Sequence, residues 1–142
     1  MVIETTRFGR LEVDSSRVIT FSQGMIGFAH LREFILLDHK PGSPFHWLQS
    51  LERGELAFPM ASPDHFVEGY TVSPPEGLSE ILGDYELKDL WLGAVVTFPQ
   101  GSGGATLNLR APVFLNTKTR QGVQAVLDDP NVPIRFPIGQ KR

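Results

Sequence analysis

Hydrophobic and polar residues alternate over much of this chain, and a period of two is typical of strands with one buried face. Residues 2–7 and 11–14 follow this pattern on either side of Phe8-Gly9-Arg10, so they predict a hairpin. Residues 18–21 predict a third strand. The continuous apolar run at residues 34–37 predicts a strand that is buried on both faces. The first part of the chain is therefore predicted to be sheet.

The same pattern continues after the turn that two prolines mark near residue 42. Residues 45–50 predict a strand with Trp47 on one face and His46 on the other, where the histidine points toward solvent or a partner. Residues 56–61 predict the next strand. Pro59 interrupts it and has no N–H to donate, which indicates a sheet edge or a bulge at that point.

Five more stretches carry the strand signal, and we expect the last part of the chain to be extended. The strands are predicted over residues 66–72, 91–98, 106–109, 113–116 and 123–127. A glycine-rich loop at residues 99–104 and a polar turn at residues 116–122 separate the later ones. Residues 129–137 contain three prolines, so this tail is predicted to be extended.

Helical signals are short and few. Residues 30–33 predict one helical turn, and Ser79 is the predicted cap of a turn that runs to Leu82 and stops at Gly83. Segments of this length are not stable helices by themselves.

With about nine or ten short strands, the pattern predicts an all-β fold. We expect one domain over residues 1–142, an antiparallel β-barrel or barrel-like sandwich with one or two short helical turns.

Composition narrows the class of protein. The chain has 142 residues, of which 41% are hydrophobic and 20% are charged, and both values are typical of globular proteins. No apolar run approaches the roughly 20 residues of a membrane helix, and the alternating N-terminus predicts neither a secretory signal nor a lipid anchor. The chain has no cysteine, which excludes disulfides and thiolate chemistry and fits a reducing compartment.

Charge is distributed unevenly along the chain. Residues 50–100 carry nine acidic and two basic side chains, whereas residues 101–142 carry two acidic and six basic ones. The acidic middle argues against nucleic acid as a ligand, because that affinity comes mostly from cations placed against phosphates. It permits a basic protein partner, although a solvated surface accounts for the same charges.

Candidate catalytic motifs are weak. The sequence has neither the G-x-S-x-G of a nucleophile elbow nor the G-x-x-x-x-G-K-[ST] of a phosphate loop. Residues 101–104 are rich in glycine, but a strand follows them, so no helix dipole is available for a pyrophosphate and a hairpin loop is predicted. No histidine is two or four residues from another, although distant strands could still assemble a zinc site. The histidines are His30, His39, His46 and His65.

The large aromatic and basic residues suggest roles in packing or partner binding rather than in catalysis. Trp91 is expected in the core, whereas Trp47 is either core or an interface anchor. The cations of the C-terminal third are too sparse for a groove that follows a phosphate backbone, and rim charges or partner contacts are expected instead. They are Arg110, Lys118, Arg120 and Arg135.

Two motifs are specific enough to indicate a family. One is Pro44-Phe45-His46-Trp47-Leu48-Gln49-Ser50, and the other is the N-L-x-A-P-x-x-x-N-x-x-x-x-x-G pattern at residues 108–122. Together with Gly24-Met25-Ile26-Gly27-Phe28 and the tail at residues 132–137, they make nearly the whole chain resemble the FliW family of flagellar assembly factors. The sequence departs from the family at Ile26, where proline is common, at Phe136, where histidine is common, and at residues 60–64.

The resemblance implies a non-enzymatic cytoplasmic protein with no cofactor, no metal, no membrane contact and no direct nucleic-acid contact. FliW-like proteins bind flagellin and also the translational regulator CsrA, and thereby relieve repression of flagellin mRNA. The candidate partner contacts are the polar turn that matches the family motif, the acidic loops, which are chosen from their charge, and Trp47 in its interpretation as an interface anchor. These candidates are Trp47, Glu68, Asp84, Glu86, Asn116, Lys118 and Arg120.

Three other interpretations stay open at this point. The turn after residue 116 can serve only to fix a hairpin register, and the Asn108 and Asn116 amides can satisfy neighbouring backbone groups. The basic C-terminal third would suit a small RNA-binding barrel. A polar pocket that held His46 or His65 beside a carboxylate would suit an enzyme.

Overall fold

Eleven short strands account for most of the regular structure in the computed structural model, which describes residues 1–98 and 104–138. The strands are β1 (Val2–Thr5), β2 (Gly9–Glu12), β3 (Ile19–Thr20), β4 (Glu33–Asp38), β5 (Phe45–Ser50), β6 (Ala57–Ala61), β7 (Leu90–Thr97), β8 (Thr106–Leu107), β9 (Val113–Asn116), β10 (Gln121–Gln124) and β11 (Phe136–Pro137). One helix, α1 (Leu78–Leu82), and the 3-10 turns Ser15–Arg17, Pro63–His65 and Leu87–Asp89 complete the elements.

Seven of the strands close into a barrel. Their order is β7-β6-β5-β4-β3-β10-β9, and β9 pairs back to β7 to complete the ring. The pairing of β10 with β3 is parallel, and the other pairings of the ring are antiparallel. The β8 and β11 strands extend the sheet from the end of β7, while β1 and β2 form a separate two-stranded sheet. The predicted all-β barrel is therefore confirmed, with one parallel pair that was not expected.

The period of two places alternate side chains inside the barrel. The buried interior cluster consists of Ile19, Phe21, Met25, Leu31, Phe34, Leu48, Met60, Val113 and Leu115. Trp91 is half-buried and packs against this cluster, as predicted. Its ring has room because position 93 is glycine: a Cβ there would lie 2.3 Å from the indole. An interior tryptophan thus depends on a missing side chain two residues away.

Several local predictions were wrong because pairing between strands overrides local pattern. Residues 66–72 form no strand and follow a 3-10 turn, since no neighbouring strand pairs with them. The helical turn expected at residues 30–33 is absent because Glu33 begins β4 opposite Thr20. Regular pairing of β10 ends at Gln124, earlier than predicted, although backbone bonds from the next residues continue toward the segment before β9.

The prediction for the helix α1 was partly wrong, and the prediction for Pro59 was confirmed. The helix α1 ends at Gly83 as predicted, but its N-cap is Gly77 at φ +83° rather than Ser79. Pro59 pairs with Trp47 of β5, while β7 pairs only with the last two residues of β6. The strand is therefore locally an edge where proline has no N–H to donate, which confirms that expectation. The glycine-rich stretch at residues 99–103 lies outside the described residues.

A single carboxylate joins the start of β4 to the turn after β5. Glu52 accepts hydrogen bonds from the backbone N–H groups of Arg32 at 2.6 Å and Glu33 at 2.8 Å. These bonds, first that from Glu33, hold the pKa of Glu52 below its usual range. The ionised carboxylate therefore stabilises the fold above the unfolded-state pKa of about 4.3, and this stabilisation is lost as pH falls through the folded-state value.

We expect Glu52→Gln to lower the melting temperature at pH 7 by about 2 °C, because the amide oxygen is a weaker acceptor for two N–H groups. The difference from the parent protein should shrink toward zero as pH falls to about 3. Thermal melts at several pH values measure it, with Glu12→Gln, an exposed change on β2, as the matched control. A difference that stays constant from pH 7 to pH 3 would contradict the assigned role.

Candidate protein-binding surface

The Asn116 side chain forms hydrogen bonds to two loops at one end of the barrel, the segment after α1 and the turn after β9. Its Nδ2 donates to the carbonyl oxygens of Leu82 at 3.0 Å and Asp84 at 3.1 Å. Its Oδ1 accepts from the backbone N–H groups of Lys118 at 2.9 Å and Thr119 at 3.3 Å. The side chain uses both donors and its acceptor inside the protein, and the residue is only 1% exposed. The amide thus positions both loops.

Further bonds hold the same two segments together. The hydroxyl of Thr119 donates to Leu82 O at 2.6 Å, and both the N–H and the hydroxyl of Thr117 donate to Asp89 O at 2.9 Å. The ammonium of Lys118 lies 3.5 Å from a carboxylate oxygen of the buried Asp89. The turn and the segment after α1 therefore form one fixed surface rather than two independent loops.

We call five of the exposed residues of these two segments the loop surface: Asp84, Glu86, Leu87, Lys88 and Lys118. Leu87 is 73% exposed at the start of a 3-10 turn, between Glu86 and Lys88, whose charged groups lie 3.4 Å apart. An apolar side chain inside a charged rim is the usual form of an interface anchor. Leu87 was not among the partner contacts predicted from the sequence. An apolar residue between Glu86 and Lys88 in a polar stretch is the sequence feature that could have indicated it.

Four of the seven residues predicted as partner contacts come together here. Asp84, Glu86 and Lys118 are exposed on the loop surface, and Asn116 lies beneath it. The Asn116 side chain is buried and satisfies neighbouring backbone groups, as the alternative interpretation expected.

Arg120 is also structural rather than free. It ends the turn at φ +59°, donates from Nη2 to Arg17 O at 2.8 Å, and its carbonyl accepts from the N–H of Thr20. Burial, with a smaller contribution from Arg17, lowers the pKa of its guanidinium. The residue connects the turn to β3, and its Nε is buried without a hydrogen-bond partner among the described residues.

Trp47 lies elsewhere, on the outer face of β5. The guanidinium of Arg7 stands 4.0 Å from the centroid of its ring, and Phe8 meets it edge-on at 6.2 Å. Both residues belong to the β1–β2 hairpin region, which covers the indole and leaves it half-buried. Trp47 is therefore engaged within the chain and is not part of the loop surface. Glu68 is exposed on a different feature, a groove between residues 67–73 and the tail.

His46 points into the barrel, so its predicted orientation toward solvent or a partner was wrong. It shares a strand face with the buried Leu48, and its side chain is 13% exposed. Its Nδ1 lies 2.9 Å from a carboxylate oxygen of Asp38, and its ring meets Trp91 edge-on at 5.4 Å. A cavity of about 210 Å³ adjoins it, lined by His39, Phe45, His46, Trp47, Pro59, Met60 and Phe98.

The cations of the C-terminal third are largely engaged with the protein itself. Arg110 donates to the carbonyl oxygens of Val132 at 2.8 Å and Pro130 at 2.7 Å. Lys118 pairs with Asp89, and Arg120 is bound to Arg17 O. Arg135, the fourth cation named from the sequence, is exposed.

Metal-binding clusters and membrane-spanning helices are both absent from the described part of the chain. Across residues 1–98 and 104–138, no group of three or more histidine, aspartate or glutamate side chains could hold a metal ion. Within the same ranges, no helix is long and apolar enough to cross a membrane.

Comparisons with known proteins agree on one family. A family model described as FliW protein matches residues 2–138. The flagellar assembly factor FliW of Bdellovibrio bacteriovorus is 40% identical over 141 residues, which cover 99% of this chain and 81% of that protein. The factor of the same name from Lachnoclostridium phytofermentans is 31% identical over 144 residues, which cover 99% of this chain and 92% of that protein. A crystal structure of the flagellar assembly factor FliW matches with a TM-score of 0.89 at 26% identity, covering 100% of this chain and 99% of that one. This chain therefore belongs to the FliW family of flagellar assembly factors.

Proposed function

We propose that this protein binds flagellin and the translational regulator CsrA in the cytoplasm, as one barrel domain over residues 1–142 and without catalysing a reaction. By sequestering CsrA, it relieves repression of flagellin mRNA, and flagellin competes with CsrA for it. The observation that carries this proposal is the loop surface, where Leu87 stands 73% exposed on a scaffold that internal hydrogen bonds hold in place.

The rigidity of the loop surface supports a binding role. A surface that is already ordered loses less conformational entropy when a partner docks, so more of the contact energy contributes to affinity. The exposed charged residues and Leu87 are not needed to hold the barrel together, because the buried Asn116 amide and the hydroxyl of Thr119 make the internal hydrogen bonds. Protein recognition accounts for an exposed leucine among charges better than folding does.

Charge offers a second contribution to the antagonism of CsrA. The protein has a net charge of −3, which comes from its acidic middle segment, whereas within the loop surface Lys88 and Lys118 balance the charges of Asp84 and Glu86. An acidic protein held beside an RNA-binding surface repels phosphates without occupying the RNA site. Antagonism by this route weakens at high salt, because screening shortens the reach of the field to about 3 Å at 1 M. Antagonism indifferent to salt would exclude the charge mechanism.

We expect Leu87→Ser to weaken binding of flagellin or CsrA by about 30-fold, the usual effect of removing an interface anchor. Its melting temperature should match that of the parent, because the side chain packs against little. The matched control is Val126→Ser, which removes another exposed apolar side chain, 66% exposed, away from the loop surface. Titration calorimetry with each partner measures the effect. Parent affinity of Leu87→Ser for both partners would refute the placement of the site.

One observation favours an enzyme, namely the carboxylate of Asp38 beside the imidazole of His46. The described residues around the adjoining cavity offer no serine, threonine or lysine as a nucleophile, and most of them are apolar. We therefore assign the pair a structural role at the barrel mouth. Turnover of a small molecule that is lost in His46→Ala, while the melting temperature is kept, would reverse this assignment.

A further inference from the structure

A groove runs between the segment at residues 67–73 and the tail at residues 127–136. Its volume is about 570 Å³. The apolar part of its lining includes Tyr70, Val72, Leu109, Leu127, Val132 and Phe136. The Tyr70 hydroxyl donates to Leu109 O at 3.3 Å, and burial raises the pKa of this phenol, which keeps it protonated as a donor. The groove is thus separate from the loop surface and is built from different segments.

The wall formed by residues 71–73 has the side-chain pattern of a strand but lacks a partner strand. Thr71 and Ser73 are exposed, whereas Tyr70 and Val72 are half-buried. The backbone groups of residues 71–73 make no hydrogen bond to the rest of the described chain. Most backbone N–H and C=O groups of a folded protein are paired, so a segment with alternating burial and an unpaired backbone beside an apolar groove can accept an added strand.

Charge specifies what the groove would accept. The carboxylates of Glu68, Asp128 and Asp129 line it, and the described lining residues include no lysine or arginine. The nearby guanidinium of Arg110 is bound to the carbonyl oxygens of Pro130 and Val132 and does not neutralise these acids. An occupant with basic side chains is therefore favoured over an acidic or neutral one.

We propose that this groove binds an extended, basic segment of a partner polypeptide, which adds a strand to the backbone of residues 71–73. Alternate apolar side chains of the segment enter the groove, and the basic side chains between them meet the carboxylates at its rim. Main-chain hydrogen bonds of this kind give affinity, while the pockets for alternate side chains give specificity. The three residues extend over about 10 Å, so a segment of about three or four residues pairs with them. The site lies apart from the loop surface and does not depend on the identity of the partners bound there.

The test uses a capped hexapeptide that alternates lysine and valine, titrated into the full chain at low salt and followed by NMR. We expect shifts in the amide signals of residues 71–73 and slower hydrogen exchange of those amides at saturation. Reversing two rim charges, Glu68→Lys with Asp128→Lys, should weaken binding about tenfold. The control pair Glu12→Lys with Glu76→Lys changes the net charge equally at exposed residues that do not line the groove.

Backbone pairing is tested separately with two methylated peptides. One carries N-methyl groups on its valines and the other on its lysines, so only one set blocks the edge that faces residues 71–73. We expect one methylated peptide to lose binding and the other to keep it. Equal binding of both methylated peptides, unchanged binding by the rim variant, or no binding of the parent peptide would overturn the proposal.

A second copy of this chain and the partners of the loop surface are the competing occupants of the groove. A concentration-dependent dimer that the rim variant abolishes would assign the groove to a second copy and overturn the proposal. Flagellin and CsrA are titrated into the same variants, and retained binding of both by the rim variant is expected. A failure of the peptide test beside normal partner binding would therefore overturn the groove proposal alone and leave the proposed function standing.

Discussion

Asn116→Asp is expected to lower the melting temperature by about 10 °C and to weaken partner binding in parallel. A carboxylate cannot donate to the carbonyl oxygens of Leu82 and Asp84, which lie 3.0 and 3.1 Å from the amide nitrogen. It would instead hold a buried negative charge against two partial negative charges, at a cost of about 3 kcal/mol. The loop surface would then lose the part of its attachment that Asn116 provides and keep the bonds of Thr117 and Thr119.

Hydrogen exchange distinguishes this local effect from general destabilisation. We expect amides of residues 83–89 to exchange much faster in Asn116→Asp, while those of β4 and β5 change little. The same chemical change at Asn131, an exposed residue of the tail, is the matched control and should leave melting and binding unchanged. A melting temperature of Asn116→Asp equal to that of Asn131→Asp would mean that the amide does not fasten the loops.

Gly54→Ala has the second large expected effect, because β1 passes directly over this position. A Cβ there would lie 1.9 Å from the carbonyl oxygen of Glu4 and 3.0 Å from its carbon, both backbone atoms that cannot rotate away. The hairpin must move outward, and the hydrogen bond from Thr6 N to Gly54 O, now 3.0 Å, would be lost. We expect a loss of about 3 kcal/mol in the free energy of unfolding.

Tryptophan fluorescence reports the same displacement. Once the hairpin moves, Arg7 and Phe8 no longer cover Trp47, and its emission should shift to longer wavelength. Gly42→Ala is the control, because its φ of +78° carries strain of about 1 kcal/mol while its Cβ would have nothing within 4 Å. Equal melting temperatures and equal emission spectra for the two variants would contradict close packing of the hairpin on the barrel.

The strands were predictable from sequence where the pattern of apolar residues belongs to a segment that pairs with other strands. The alternating residues of β5 and β6 and the apolar run of β4 identify strands because these segments have neighbours on both sides. Closure of the barrel was not predictable in detail, because the β7–β9 and β10–β3 pairs join segments that are distant in sequence. The strand prediction for residues 66–72 was wrong for the converse reason. The strand pattern is present there, but no described strand pairs with these residues.

The candidate site was predictable in part. The charges of Asp84, Glu86 and Lys118 marked the loop surface, because a family motif and an acidic stretch both pointed there. Sequence alone could not distinguish the exposed Lys118 from the buried Asn116 two residues before it, since that difference depends on the carbonyl groups of the segment after α1. The inward orientation of His46 likewise depends on which face of β5 lines the barrel.

We propose that this chain acts by binding other polypeptides, and competitive calorimetry tests this function most directly. Purified CsrA is titrated into the protein alone and into the protein saturated with monomeric flagellin. We predict saturable heat with CsrA alone and little or no heat once flagellin is bound. Absence of binding to both flagellin and CsrA at the concentrations used would contradict the claim.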